Sequence, residues 1–207
     1  MMKPMPRIAV MFAVLSLALV VGVAGALYLT DKTVRNAAKT ATAPAVGAPF
    51  SLIDHKGRAV TDSDYRGKLM LVYFGYTSCP DICPADLYKI SRALDALGED
   101  AVRVQPLFIT VDPERDTVKA MADYVGRFHP NLIGLTGSPE QVKVAAKSYR
   151  VYYAKAYPEG SEEGANDYLL DHMTLIYLMG PDGGLLEILP HSTPVDKLVG
   201  KIRRHLE

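Results

Sequence analysis

A stretch of 22 residues without a charged side chain, Ile8–Leu29, most constrains how this chain can fold. An α-helix rises about 1.5 Å per residue, so a helix of this length would reach about 33 Å, enough to cross a hydrocarbon core of about 30 Å. A buried core helix at the extreme N-terminus would instead need an apolar partner surface on every side. The basic residues Lys3 and Arg7 precede the stretch. We therefore predict one N-terminal transmembrane helix, a membrane anchor within residues 1–29.

The same segment has one feature of a cleaved signal peptide. Ala24-Gly25-Ala26 has the small-x-small pattern of a signal-peptidase site, which keeps cleavage open as an alternative. An uncleaved anchor is favoured, because the apolar run is long for a signal peptide and continues past that site through residues 27–29.

The flanks of this segment suggest an orientation. The short N-terminus favours an arrangement with the N-terminus inside and the remaining chain outside. Both cysteines then lie in an oxidising compartment. The N-terminus also lacks the repeated Arg of a mitochondrial transit peptide. We therefore expect a single-pass protein of a bacterial inner membrane, with its soluble domain in the periplasm.

Composition excludes several other classes of protein. Hydrophobic residues make up 49% of the 207 residues and charged residues 22%, which indicates a globular rather than a disordered chain. Lys and Arg together number 23, and Asp and Glu together also number 23, so the formal charge is zero. No nucleic-acid partner is therefore expected. With only two cysteines, the chain is neither a multi-disulfide scaffold nor a four-cysteine zinc protein.

Residues 30–46 contain too little apolar surface to bury, so we predict a flexible tether there and a folded domain over 47–207. In that domain, Leu69–Phe74 is a continuous apolar run, as expected of a strand covered on both faces. The order of elements predicts an α/β fold, a mixed sheet with flanking helices that is compatible with a thioredoxin-like architecture. We predict strands near 69–74, 107–109, 132–133, 151–157, 174–179 and 185–189, and helices over 85–97, over 118–128, from the cap residue Ser138 onwards and over 194–206.

The two cysteines lie between the buried strand and the first helix, in the sequence Cys79-Pro80-Asp81-Ile82-Cys83-Pro84. Pro84 disfavours the α region at Cys83 and suits the first helical turn, so we expect both thiols at or just before a helix N-terminus. The helix dipole there favours the thiolate, which makes both thiols more acidic than usual. Two such thiolates can form a disulfide or bind a soft metal. An inert structural bridge is the alternative, although a disulfide stabilises most when it closes a long loop.

One of the five histidines has a setting of its own. Asp171 and His172 stand directly before the predicted strand Met173–Met179. A histidine at such a place is more often structural, but a mixed sheet can bring it beside a helix N-terminus that follows another strand. Two thiolates and one imidazole suit copper, whereas structural zinc normally has a fourth protein ligand. The other four histidines are expected in turns, at helix ends or at the surface: His55, His129, His191 and His205.

Three segments resemble the Sco/SenC family: Phe74–Pro84, Val111–Thr117 and Tyr168–His172. That family comprises membrane-anchored, thioredoxin-fold proteins of cytochrome c oxidase assembly, and the resemblance covers roughly residues 46–205. By motif match it implies that Cys79, Cys83 and His172 bind copper, as Cu(I) or Cu(II).

The resemblance also implies a function and partners. The chain would be a membrane-tethered copper chaperone for the CuA centre, and its main partner the copper-receiving subunit of cytochrome c oxidase. A second periplasmic copper chaperone would be the donor, and the N-terminal helix would contact the membrane. The chain would then be primarily a copper carrier, and the role of Met173, next to His172, is left open.

Two enzymatic alternatives use the same cysteines. A thiol–disulfide oxidoreductase that reduces the cysteines of the copper-receiving subunit would need only Cys79 and Cys83 as a redox-active pair, and would be indifferent to His172. The usual dithiol motif has two intervening residues, and this one has three. A peroxidase of the peroxiredoxin type is less favoured, because Tyr76 and Val72 stand where that family has Thr and Pro.

Two charged segments have structural interpretations. Asp112–Asp116 is expected to form a turn that caps the second helix. Residues 158–167 contain four acidic side chains and two glycines, which predicts a solvated loop. Because this loop precedes His172 closely, it could present negative charge to a basic partner.

Overall fold

The computed structural model divides the chain into two compact units, residues 1–44 and 45–207. The second unit contains all the strands and helices described below. The described residues are Gly22, Gly25, Val46, Gly47, 49–158 and 167–207.

The predicted membrane anchor lies almost entirely outside the described residues, as does the predicted tether up to residue 45. Among the residues that are described, no helix is long and apolar enough to cross a membrane. The division into an anchor over 1–29, a tether over 30–46 and a domain over 47–207 therefore stays a prediction.

The domain is built on a mixed sheet of seven strands, in the order β2-β1-β5-β4-β3-β8-β9. Strands β3, β4 and β5 are parallel to one another, and β8 runs antiparallel to β3. The strands, including the separate pair β6 and β7, are β1 (Ser51–Asp54), β2 (Ala59–Thr61), β3 (Leu69–Gly75), β4 (Val104–Thr110), β5 (Ile133–Thr136), β6 (Tyr153–Ala156), β7 (Leu169–His172), β8 (Leu175–Met179) and β9 (Leu185–Pro190).

Four helices flank this sheet: α1 (Ile82–Leu97), α2 (Val118–Val125), α3 (Pro139–Ser148) and α4 (Val195–Arg204). Helix α1 packs against α4, α2 against β5 and α3 against β1. Every residue of β3 is buried, as its continuous apolar sequence predicts for a strand covered on both faces. The predicted cap of α3 is confirmed, because the Ser138 side chain accepts a hydrogen bond from the Gln141 N–H.

Helix α1 begins three residues earlier than predicted, at Ile82 rather than Ala85. Cys83 is therefore helical, and the expectation that Pro84 keeps it out of the α region is wrong. Proline is tolerated in a first helical turn, because the N–H groups there have no partner within the helix. The preference against an α conformation before proline is overridden by the burial of Cys83 against the sheet.

His172 lies in a different element from the one predicted. It is the last residue of β7, which pairs antiparallel with β6 in a two-stranded sheet of its own, with His172 opposite Tyr153. The sequence predicts His172 at the entrance of the strand that becomes β8. Strand β7 has the sequence Leu169-Leu170-Asp171-His172, and these four residues do not alternate between apolar and polar, so the strand was not recognised from its pattern.

A fragment comprising residues 46–207 is expected to fold without the preceding residues, because it contains the complete sheet and its core. Far-UV circular dichroism should show one cooperative thermal transition. As a control, Leu71→Ala removes a fully buried side chain from β3 and should lower the free energy of unfolding by about 2–5 kcal/mol. A fragment without a cooperative transition would place the domain boundary elsewhere.

Candidate metal centre

The two cysteines follow β3 and lie on either side of the start of α1. Cys79 ends a turn in which its N–H donates to the carbonyl of Tyr76 at 3.2 Å. Cys83 lies in the first turn of α1 and is fully buried, whereas Cys79 is partly exposed. Both are free thiols in this structure. A partner molecule can therefore reach the sulfur of Cys79 directly but not that of Cys83.

Gly75, the last residue of β3, makes room for the buried sulfur. A Cβ atom at this position would lie 2.7 Å from Cys83 Sγ and 2.9 Å from the ring of Phe108. Any larger residue would push the thiol out of its place beneath the start of α1. Gly75 was not predicted to belong to the site, although a glycine at the end of a buried strand often indicates a close approach of another group.

His172 meets the buried cysteine. Its Nε2 lies 3.4 Å from Cys83 Sγ, and its Nδ1 lies 3.2 Å from the carbonyl oxygen of Leu170. Because a carbonyl oxygen only accepts hydrogen bonds, Nδ1 carries a proton, which leaves Nε2 as the ring nitrogen that faces the sulfur. The ring also stands edge-on to Tyr76, with the centroids 5.5 Å apart and the planes at 79°. The imidazole is therefore oriented to act as a ligand through Nε2.

The two thiols have opposite acidities. The pKa of Cys79 is lowered to about 5, chiefly by a hydrogen bond from the Cys83 side chain and further by the backbone N–H groups of Cys83 and Asp81, while burial opposes the shift. The pKa of Cys83 is raised, first by the adjacent Cys79 and then by burial. The prediction that both thiols are acidic is therefore confirmed for Cys79 and wrong for Cys83, because burial and the neighbouring charge outweigh the helix dipole.

The turn between β4 and α2, residues 112–116, holds the cysteine turn in place. The buried carboxylate of Asp116 accepts hydrogen bonds from the Thr77 N–H at 3.0 Å, the Thr77 hydroxyl at 2.6 Å and the Thr110 hydroxyl at 2.6 Å. Burial raises the pKa of Asp116. The prediction that this turn caps the second helix is wrong, because the cap is Thr117. Asp116 was not recognised in the sequence as part of the site.

The remaining histidines have partners in other parts of the fold. His129, which follows α2, accepts a hydrogen bond from the Asn131 N–H through Nδ1 at 3.1 Å. His55 accepts a hydrogen bond from the Gly134 N–H. His191 contacts the Asp86 carboxylate, and His205 contacts the Glu187 carboxylate.

The structure assembles the predicted ligands only in part. Cys83 contacts both Cys79 and His172, but within the described part of the chain no group of three His, Cys, Asp or Glu side chains is arranged to hold a metal ion. Met173 is 38% exposed, and its N–H donates to the Tyr152 carbonyl. Most of the predicted acidic loop, residues 159–166, lies outside the described residues.

Comparison with known proteins identifies the family. A family model described as SCO1/SenC matches residues 38–207. The chain belongs to the SCO1/SenC family. Its sequence is 47% identical to the mitochondrial protein SCO1 homolog 1 of Arabidopsis thaliana over 163 residues, and 49% identical to the mitochondrial SCO2 homolog of Mus musculus over 159 residues. The similarity to this family is therefore not limited to the three motifs but extends over most of the chain.

The curated SCO1/SenC relatives are longer proteins than the matched region. The alignments cover 78% and 76% of this chain, but 47% of the Arabidopsis protein and 61% of the mouse protein. The chain therefore spans about half to three fifths of the length of these relatives.

Solved structures of the SCO1/SenC family share the fold. Copper-bound ScoI of Arabidopsis thaliana matches with a TM-score of 0.71 and 45% identity, over 78% of this chain and 98% of that one. Copper-bound ScoI of Bradyrhizobium japonicum matches with a TM-score of 0.71 and 42% identity, over 78% and 99%. The predicted thioredoxin-like mixed sheet with flanking helices is confirmed, and copper is the metal bound by these homologues.

The predicted location is wrong. The curated relatives above are mitochondrial proteins, as is the human SCO1 homolog, which is 42% identical over 165 residues. These findings overturn the placement in a bacterial inner membrane with a periplasmic domain. That placement rested on the apolar run and the missing arginine pattern of residues 1–29, which lie outside residues 38–207, the part that the family model matches.

Cys79 is expected to react rapidly with iodoacetamide at pH 7, because the thiolate is the nucleophile and its pKa is lowered to about 5. The thiolate fraction is high above the pKa of Cys79, and the labelling rate should fall as the pH decreases through this pKa of about 5. Mass spectrometry of samples labelled between pH 4 and 9 measures the profile. Cys83, buried and protonated, is the internal control and should stay unlabelled in the folded protein. A midpoint near 8.5, as for an ordinary thiol, would contradict the assignment.

Gly75→Ala is expected to destabilise the domain by about 1–3 kcal/mol, because the added methyl group overlaps Cys83 Sγ and the Phe108 ring. It should also raise the labelling rate of Cys83. The matched control is Gly200→Ala in α4, where the added Cβ meets nothing within 4 Å. Chemical unfolding of both variants measures the difference, and equal stabilities would show that the space beside Cys83 is not limiting.

Proposed function

We propose that this chain carries copper as cargo and delivers it to a copper-receiving subunit of cytochrome c oxidase during assembly. The ligands would be Cys79, Cys83 and His172. The observation that carries the proposal is the position of His172 Nε2, which lies 3.4 Å from the sulfur of Cys83. Copper-bound relatives support the choice of metal. A 25% identical structure, with a TM-score of 0.60, is described as belonging to the Sco family of cytochrome c oxidase assembly proteins.

The donor set fits copper better than other metals. Thiolates are soft ligands that select Cu(I), which accepts low coordination, and imidazole binds Cu(II) well. The lowered pKa of Cys79 supplies one thiolate at neutral pH without loss of a proton. Cys83 is protonated and must release its proton when the metal binds, so copper uptake should lower the pH of a weakly buffered solution.

The reduced structure suggests how the site closes around its cargo. In the metal-free protein the Cys83 thiol donates a hydrogen bond to the Cys79 thiolate. Copper would replace that proton, and His172 would complete the set through Nε2. Because Cys79 is partly exposed, a receiving cysteine could approach the metal from its side and take it by ligand exchange.

A second function, reduction of a disulfide in the copper-receiving subunit, is supported by the difference between the two thiol pKa values. The Cys79 thiolate would attack that disulfide, forming a mixed disulfide and releasing one thiolate of the partner. Cys83, after losing its proton, would then attack Cys79 and release the second. Two electrons pass to the partner, and the chain keeps a Cys79–Cys83 disulfide. This reaction requires the two cysteines but not His172.

His172→Ala separates the two functions. Without the imidazole, the affinity for Cu(II) should fall by at least about tenfold, since even outer-shell partners of a ligand contribute that much. Cu(I) should remain bound, because two thiolates hold it in a near-linear geometry. The rate at which the reduced protein reduces a model disulfide should stay near that of the parent. Anaerobic copper titration and thiol counting measure these quantities.

The matched control is His205→Ala, which removes an exposed imidazole that contacts Glu187. It should leave copper binding unchanged. Cys79→Ser and Cys83→Ser should each abolish both Cu(I) binding and disulfide reduction. If His172→Ala binds Cu(II) like the parent and still supports oxidase assembly in cells, the three-ligand site is refuted and the reductase becomes the better assignment.

A further inference from the structure

His172 is not itself paired within the main sheet, although β8 begins three residues later, at Leu175, and pairs with β3. Among the described residues, strands β6 and β7 pair only with each other, and β3, which leads to the cysteines, pairs with β4 and β8. No ladder of backbone hydrogen bonds therefore connects the strand carrying His172 to the strand before Cys83. Other contacts must fix the distance between the imidazole and the thiol.

Besides a buried hydrogen bond from the Leu170 N–H to the Tyr76 hydroxyl at 3.2 Å, several of those contacts converge on Tyr168, the residue before β7. Its hydroxyl donates to Asp112 Oδ1 at 2.7 Å, and its carbonyl oxygen accepts from Arg115 Nη1 at 2.9 Å. The Arg115 guanidinium also lies 3.7 Å from the centroid of the Tyr168 ring, and Arg115 Nε donates to Asp112 Oδ2. Asp112 and Tyr168 are 2% and 3% exposed, so these bonds are shielded from water. Both the ring and the backbone of Tyr168 are thus held by one turn.

The same turn also holds the cysteines. Asp116 binds Thr77, two residues before Cys79, and Asp112 binds Tyr168, four residues before His172. A turn of five residues, 112–116, therefore connects both halves of the proposed copper site.

A cavity of about 240 Å³ lies between the 112–116 turn and strands β6 and β7, with Val111, Glu114, Tyr153, Lys155 and Leu170 in its lining. The Lys155–Glu114 ion pair beside it is exposed, and exposed pairs contribute little. Because apolar contact is interrupted here, the buried hydrogen bonds of Tyr168 carry more of the attachment.

We propose that Asp112, Arg115 and Tyr168 form a clamp that positions His172 against Cys83. These are positioning residues, which act on copper only through the imidazole. The inference rests on the proposed copper site. Loss of one buried hydrogen bond to a charged group should shift the equilibrium between held and displaced β7 by about tenfold. Cu(II), which depends on the imidazole, should be affected, whereas Cu(I), held by two thiolates, should not.

The first test uses metal-free protein. Tyr168→Phe removes the hydroxyl that binds Asp112 but keeps the ring beside Arg115, and Arg115→Met removes the guanidinium. Both should increase amide hydrogen exchange in β6 and β7 by about tenfold while leaving β3 and β4 protected. The matched control is Tyr65→Phe, whose buried hydroxyl has no hydrogen-bond partner among the described residues. Unchanged exchange in both clamp variants would overturn the proposal, and if Arg115→Met fails to fold, Tyr168→Phe decides alone.

The second test uses copper. In Tyr168→Phe, Cu(II) affinity should fall by about tenfold and the nitrogen hyperfine coupling in the electron paramagnetic resonance spectrum should weaken, with Cu(I) affinity unchanged. Arg115→Lys, which keeps the charge, should lose less Cu(II) affinity than Arg115→Met. If His172→Ala impairs Cu(II) binding but the clamp variants bind like the parent, the clamp is refuted and the copper site stands. If His172→Ala binds Cu(II) normally, the copper site itself is refuted, whatever the exchange data show.

Discussion

The parallel pairing of β3 with β4 is the constraint on which the rest of the site depends. It places Gly75 opposite Thr110, so that the turns following both strands leave the sheet at the same edge. One turn carries Cys79, and the other carries Asp112 and Asp116. The hydrogen bond that the Thr77 N–H donates to Asp116 joins residues 39 positions apart. It forms because two buried apolar strands lie side by side. Burial of the two strands stabilises their pairing, and this pairing places the polar groups at their ends side by side.

At that edge, the two cysteines acquire different chemistry from similar surroundings. Cys79 is partly exposed and ionised at neutral pH, and Cys83 is buried and protonated. Such a pair can bind a soft metal or exchange with a disulfide, so the cysteines alone do not distinguish a copper carrier from a reductase. The imidazole of His172 makes the difference, because only copper chemistry uses it. Whether the chain can act as a copper carrier, as proposed, therefore depends on how firmly β7 holds His172 beside Cys83.

Much of the fold follows from local sequence pattern. Continuous apolar residues predict β3, and Ser138 with Gln141 predicts the start of α3, because strand burial and helix capping each depend on a few adjacent residues. The start of α1 was misplaced by three residues, because local preference before Pro84 was outweighed by the burial of Cys83. Strand β7 was missed because four residues show too little alternation, so His172 was assigned to the following strand.

The sequence by itself identified the candidate donor atoms of this protein, two sulfurs with three residues between them and an imidazole after an aspartate, together with the four helices and six of the nine described strands around them. These features are written in neighbouring residues. Only the tertiary structure decided that His172 approaches Cys83, that Cys83 keeps its proton, and that Gly75 leaves space for its sulfur. Each of these depends on the distance between segments far apart in the chain, 89 residues for the thiol and the imidazole, and that distance is set by packing rather than by local pattern.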